Sequence, residues 1–258
     1  MEGLHEEILT VLGCNCKCID LGYSINESTI FWPGGERFSM CMSQHSDPET
    51  GKFYAAGVFS CPEHGGTHVD APWHFSQDGA TVDMIPLRSL IAPCRVVDVQ
   101  DECLASPNYA VSREDILEHE QEFGDLVPGS IVLIRTGWHS RYPLGAKAYL
   151  GFDELVEGPY DPSTSALSFP GIAASGSALL VERAVAAVGL DTASLDPGAN
   201  REFDAHYILL GGGVYGIEYL GPGIASVPVK GSTLIVMPVK LSGGSGGPAR
   251  VVALCPVV

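Results

Sequence analysis

Residues 64 to 75 read HGGTHVDAPWHF, and within eleven residues they place His64, His68, Asp70 and His74, four side chains able to ligate a divalent ion. The chain has 8 histidines in 258 residues, and an even spread would leave only about 0.3 of one in such a window. A straight strand carries His64 roughly 33 Å from His74 at about 3.3 Å per residue, whereas ligands stand about 2 Å from their ion. The fold must therefore bend this stretch, and Gly65, Gly66 and Pro72 stand where bends are needed.

His64, Gly66, His68, Asp70 and His74 share even numbering, so in an extended segment they project to one side, with Gly66 leaving room for an ion. His68 and Asp70, two apart, reach one ion from a single strand. The reading predicts that His64, His68 and Asp70 converge on a metal, with His74 carried just beyond it. Three ligands leave a position for water, which suits a catalytic site better than a closed structural one. The competing reading, a loop of hydrogen-bonded histidines, does not account for four such groups with hinges between them.

With 31 acidic against 14 basic residues the formal charge is −17, which argues against nucleic acid or an anionic membrane surface as partner. A 45% hydrophobic content and mean hydropathy of +0.17 suffice for a full core. No apolar run reaches a membrane span, and MEGLHEEILTVLG is acidic where a signal peptide is basic, so the expectation is a cytoplasmic protein. Cys14, Cys16 and Cys18 in CNCKC lack zinc-finger spacing and run into strand-like sequence, so they read as small strand side chains.

Val- and Ile-rich runs at 17–23, 94–99, 130–138, 233–241 and 249–255, bounded by Gly or Pro, predict strands. Residues 112–124 predict a helix with Ser112 and Asp115 at its start and Gly124 at its end. Apolar spacing predicts a second helix over 174–189, stopped by Gly189, and a third over 202–211. SGGSGG at 242–247 predicts a glycine-rich hairpin or substrate-side loop rather than a linker. The class is mixed α/β, and the chain, 1–258, reads as one domain.

The pattern H-x-G-T-H-x-D-x-P-x-H, here His64, Gly66, Thr67, His68, Asp70, Pro72 and His74, resembles the signature of the cyclase-like metal-dependent hydrolases, which include bacterial-type kynurenine formamidases and isatin hydrolases. GLDTASLDPG at 189–198, AHYILLGGGVYGIEYL at 205–220 and the closing MPVKLSGGSGGPARVVAL also resemble that family. The likeness runs from about Ile19 to Leu254. It implies a compact, swivelling-domain-like β/β/α domain with a barrel-like mixed sheet, assembled as a homodimer or homotetramer. It adds His206 and Glu218 as metal ligands, which no local pattern selects. It also implies that Trp32, in FWPGG, contacts an aromatic substrate. Two departures bear on the pocket: Tyr219 follows the glutamate where many relatives carry Asn, and GGG fills 211–213.

The resemblance implies one or two zinc or manganese ions and hydrolysis of an amide beside an aromatic ring, with His74 moving the proton to the departing nitrogen. The insertion at 46–60 favours an isatin-hydrolase-like activity over N-formylkynurenine hydrolysis, with a non-catalytic metal-binding relative as a further alternative. A serine hydrolase finds G-x-S-x-G only at Gly243–Gly247, inside the segment read as a glycine-rich hairpin or loop rather than a strand-to-helix turn, and GGSGG lacks the Lys-Ser/Thr of a phosphate loop.

Overall fold

The computed structural model describes residues 6–11 and 14–257. Seven strands close into a mixed barrel in the spatial order Gly246–Pro256, Lys230–Pro238, Ile91–Asp98, Ile131–Arg135, Ala187–Leu190, Tyr215–Glu218 and His68–Asp70, the last returning to pair with the first. The three joints among Ile91–Asp98, Ile131–Arg135, Ala187–Leu190 and Tyr215–Glu218 are parallel, and the remaining four are antiparallel. Cys14–Asp20 extends the sheet from Gly246–Pro256, and Glu6–Val11 pairs with Cys14–Asp20.

Side-chain alternation divides the molecule into layers. Ile131 and Leu133 join Val69, Val96, Ala187, Ile217, Leu234 and Val251 in the barrel interior, to which all seven strands contribute. Val132 and Ile134 point the other way and pack with Ile116, Leu179, Leu180 and Leu209 from the helices Arg113–Phe123, Ala174–Glu182 and Asp204–Gly211. Parallel strands covered on both faces read as unbroken apolar runs, and Ile131–Arg135 and Ala187–Leu190 are buried at every residue. This is the β/β/α arrangement that the resemblance implies, and the parity of Val69 has a consequence for the site: His68 and Asp70 face out of the barrel.

The capping box forms as expected. Ser112 accepts from Asp115 N, the Asp115 carboxylate accepts from Ser112 N, and Arg113–Phe123 ends at Gly124. The helix expected over 174–189 stops at Glu182. Ala184 turns left-handed at φ 52°, and Ala187–Leu190 forms a central strand. An apolar run this short carries no period that separates strand from helix. Gly189 is not a helix stop, since a Cβ there would lie 2.9 Å from Leu133 Cδ2 across the sheet. The third helix starts at Asp204, two residues later than expected.

The strand-like runs hold with shifted ends, as Cys14–Asp20, Ile91–Asp98, Ile131–Arg135, Lys230–Pro238 and Gly246–Pro256. Cys16 is buried and Cys18 half-buried within the first of these, as small strand side chains. The glycine-rich segment is the connection of the antiparallel pair Lys230–Pro238 and Gly246–Pro256. Residues 53–60 of the insertion form a ribbon with Ser39–Ser46 that stands outside the barrel, nearly every position exposed. No helix among the described residues is long and apolar enough to cross a membrane.

Gly171, in the short strand Gly171–Ile172, lies hard against the backbone at Asp196. A Cβ there would fall 2.2 Å from the carbonyl carbon of Asp196 and from Pro197 N. Backbone cannot step aside as a flexible side chain can, so Gly171→Ala is expected to destabilise the protein by about 1–3 kcal/mol, read as a lower urea midpoint at unchanged slope.

Candidate metal centre

The stretch His64–Phe75 bends at two of the places the sequence offered. Gly66 adopts φ +63°, the strand His68–Asp70 comes next, and Pro72 opens the 3-10 turn Pro72–His74. Shared parity therefore holds only for His68 and Asp70, which project together from the outer face of the barrel. Gly66 does not clear space for an ion: its missing Cβ would meet Ile25 Cγ1 at 3.1 Å, and its left-handed backbone is what the position requires. Thr67 fixes the bend from the side, donating its hydroxyl to the Tyr219 carbonyl at 2.7 Å and accepting Tyr23 N–H at 2.9 Å.

Onto this face come residues from two other elements. Glu218 ends the strand Tyr215–Glu218, directly opposite His68 in the register. His206 lies in the first turn of the helix Asp204–Gly211. Asp70 Oδ1 lies 2.6 Å from His64 Nδ1 and 3.1 Å from His68 Nε2. His206 Nε2 lies 3.3 Å from both Asp70 Oδ2 and Glu218 Oε1, and His68 Nε2 lies 3.4 Å from Glu218 Oε2. His68, Asp70, His206 and Glu218 are all buried. The structure thus gathers the other four expected ligands around Asp70. Two triads have donor atoms close enough for one ion each, His64 with Asp70 and His74, and His68 with Asp70 and Glu218.

The hydrogen bonds behind these side chains test whether a cation fits. His68 Nδ1 lies 2.8 Å from the Gly66 carbonyl, and His206 Nδ1 lies 2.6 Å from Asp196 Oδ2. Both partners are acceptors, so in the neutral imidazoles Nδ1 carries the hydrogen and each Nε2 turns a lone pair toward Asp70 and Glu218. Lone pairs and carboxylate oxygens facing one another at these distances require positive charge between them. Asp70 Oδ2 is also buried without a hydrogen-bond partner, a state that costs free energy unless something positive satisfies it. The donor set, imidazole and carboxylate, suits a divalent ion such as zinc or manganese.

Without an ion, protons on the imidazoles supply that positive charge. Burial alone lowers the His68 imidazole, but Asp70 and Glu218 outweigh it and push the group up to about 9. Burial lowers His206 too, but Asp196, the largest of the raising causes, together with Asp70 and Glu218 outweighs it and holds the group well above its usual value. Burial raises Asp70, yet the surrounding imidazoles hold its carboxyl well below the usual range. Burial and the Asp70 charge together raise Glu218.

His74 differs. Burial lowers it to about 4, only partly opposed by Asp70, so it is a neutral base at pH 7. Its ring stacks on His64 with centroids 3.8 Å apart and stands 6.1 Å from His206. It is therefore nearer to the donor atoms than the sequence reading placed it, within one of the two triads. Trp32 is half-buried, 6.3 Å from both Phe169 and Phe203, and Phe203 lies 5.7 Å from His206. Trp32, Phe203 and Phe75 thus form an aromatic wall that ends at His206.

Sequence reading missed Asp196. Its Oδ1 accepts from Ala205 N and Asn200 Nδ2, and its Oδ2 from His206 N, so it caps the helix that carries His206 while orienting the ring. No spacing links residues 196 and 206, and the resemblance marked the segment without assigning the residue. Asp196→Ala is expected to weaken zinc binding by about 10–100-fold, measured by competition with a chromogenic chelator.

Known proteins share both the sequence and this fold. The family described as putative cyclase matches residues 19–197. An isatin hydrolase of Roseibium aggregatum is 32% identical over 215 residues, 80% of this chain and 77% of that one. A kynurenine formamidase of Salinibacter ruber is 28% identical, covering 91% of this chain and 95% of its own. Among solved structures, isatin hydrolase A from Labrenzia aggregata bound to benzyl benzoate superposes with a TM-score of 0.82 at 28% identity over 94% of both chains. An isatin hydrolase bound to the product analogue thioisatinate gives 0.83 at 26% identity, over 94% of this chain and 93% of that one. With the family match spanning most of its length and an isatin hydrolase among its relatives, the chain belongs to the putative cyclase family.

Proposed function

We propose that this protein is a metal-dependent hydrolase that cleaves the amide C–N bond of a small aromatic molecule, with the cyclic amide of isatin as its first substrate and the formamide of N-formylkynurenine as the second. The observation that carries this reading is the buried cluster of imidazole lone pairs and carboxylates set at the foot of an aromatic wall. The isatin hydrolase likeness supports the first substrate. The near-complete overlap with kynurenine formamidases supports the second. Residues 1–258 act as one domain around this site.

His64, His68, Asp70, His206 and Glu218 would hold one or two zinc or manganese ions, and Asp70 is common to both groups of close donor atoms. A divalent ion in this cradle supplies an acidified water and polarises the amide carbonyl. The chain's own residues do the rest. His68 and His206 present fixed lone pairs, and their partners Gly66 and Asp196 keep the rings from turning. Trp32, Phe203 and Phe75 take the flat ring of the substrate and exclude water from beside it. As water adds to the carbonyl carbon, His74 Nδ1 or Nε2, neutral at pH 7, accepts the released proton and passes it to the nitrogen as the C–N bond breaks.

Isatin and N-formylkynurenine turnover should be lost on chelation and return with Zn²⁺ or Mn²⁺. No turnover of either with metal restored overturns the hydrolase reading. His68→Ala is expected to release metal and abolish activity, whereas His74→Ala retains metal and loses about 10²–10⁴-fold in rate. Loss of the ion from His74→Ala would make His74 a ligand instead of the proton carrier.

We also propose that the chain assembles as a homodimer or homotetramer through the ribbon of Ser39–Ser46 and Phe53–Ser60. A lone two-stranded ribbon is marginal in water, and this one exposes Met40, Met42, Phe53, Tyr54, Val58 and Phe59. None of its sixteen strand residues is Asp, Glu, Lys or Arg, so a second copy, itself bearing −17, meets it without like charge. Val58→Asp should shift the protein to monomer in sedimentation, and a wild-type chain that sediments as a monomer refutes the interface.

A further inference from the structure

His64 is anchored differently from the other two imidazoles. Its Nε2 lies 2.9 Å from the Ser245 hydroxyl, and its Nδ1 lies 2.6 Å from Asp70 Oδ1. The Ser245 hydroxyl is in turn 2.6 Å from Glu63 Oε2, and that same oxygen accepts the Ser245 backbone N–H at 2.9 Å. An ionised glutamate oxygen only accepts. The Ser245 O–H therefore points at Glu63, and the hydroxyl oxygen is left to accept a hydrogen from His64 Nε2. A neutral imidazole has one N–H, so Nδ1 keeps the lone pair and turns it to Asp70.

We propose that Glu63, acting through Ser245, is a positioning residue that locks His64 in the Nε2–H tautomer and so selects Nδ1 as the atom offered to the ion. His68 and His206 offer Nε2, with their hydrogens held at Nδ1 by the Gly66 carbonyl and Asp196. This rests on the proposed metal binding, but not on the identity of the substrate.

Glu63 is needed because serine alone is undecided. A hydroxyl can donate to a bare nitrogen as readily as it accepts from an N–H, so Ser245 without Glu63 would support either tautomer of His64. The carboxylate removes that freedom. Room for the ring comes from Gly246, the next residue along, where a Cβ would stand 2.6 Å from His64 Cε1 and 3.0 Å from Nδ1. The glycine-rich segment that joins the last two strands thus supplies both the hydroxyl and the gap. Glu63 and His64 are adjacent in sequence, yet their link runs through a residue 181 positions from His64.

Long-range ¹H–¹⁵N correlation of zinc-loaded, ¹⁵N-labelled protein reads the tautomers directly, without substrate. Expected are a protonated Nε2 and a metal-bound Nδ1 for His64, and the reverse for His68 and His206. Zinc affinity is measured alongside by chelator competition. Glu63→Ala and Ser245→Ala should each lose about 10–100-fold. Because the two act in series, the double variant should lose no more than the weaker single variant. Glu63→Gln, whose amide oxygen can still accept both Ser245 hydrogens, should keep the wild-type tautomer and affinity, which also serves if Glu63→Ala fails to fold.

A metal-bound Nε2 on His64 in the wild-type protein overturns the proposal, as do unchanged affinity in Glu63→Ala or losses that add in the double variant. A protein with the expected tautomers that hydrolyses neither amide would leave the relay standing and remove the hydrolase reading.

Discussion

The three-residue strand His68–Asp70 is hydrogen-bonded along both edges, and the barrel closes through it. His68 and Asp70 lie opposite Glu218 and Gly216 on one side and opposite Pro248 and Gly246 on the other. Val69 fills the barrel interior, which forces His68 and Asp70 outward to meet Glu218 and the helix bearing His206. Asp70 has glycine as its neighbour on both edges. A Cβ at Gly216 would stand 3.3 Å from the Asp70 Cβ, and one at Gly246 would stand 2.4 Å from the Val69 carbonyl oxygen. The carboxylate at the centre of the candidate ligands is therefore placed by the same pairing that makes the fold a closed sheet.

Burying Asp70 and Glu218 side by side would be costly without compensating positive charge. Neutral imidazoles with outward hydrogens leave that charge to an ion. Protonated imidazoles supply it without one. His68 in the metal-free protein is raised from 6.5 to about 9. Its protonation therefore stabilises the fold fully below about pH 6.5, and that contribution is lost as pH rises through about 9. An ion and the imidazole protons occupy the same electrostatic role, so binding one releases the other.

The first half of the site was legible because its candidate ligands sit within eleven residues, and chain reach demanded bends, which fall at Gly66 and Pro72 among the places offered. The second half was not. His206 comes from a helix and Glu218 from a strand, so no single period connects them, and only the family resemblance marked them out. Asp196, Ser245 and Glu63 act on ring nitrogens through hydrogen bonds, and such contacts leave no trace in local composition. The same limit shortened the helix expected over 174–189: Ala187–Leu190 is apolar at each position because the sheet is covered on both faces, which local spacing cannot distinguish from a helical face.

Two non-glycine residues at the site hold left-handed backbones, Phe203 at φ 55° and Tyr219 at φ 56°. Such conformations cost about 1–3 kcal/mol each for bulky side chains and persist where packing holds them. Phe203 immediately precedes the helix of His206. Its turn sends the ring into the wall with Trp32 and Phe75 while the next amides reach Asp196. Tyr219 comes directly after Glu218. Its turn brings its carbonyl to Thr67 and its ring to within 5.6 Å of Tyr149. Asparagine adopts this conformation at less cost than tyrosine. Tyrosine instead adds a large buried ring beside His68, 5.9 Å away, with its hydroxyl lacking a partner. The backbone turn thus ties Glu218 to Thr67 in the candidate site, while the side chain placed on it fills the space beside His68 with a buried ring.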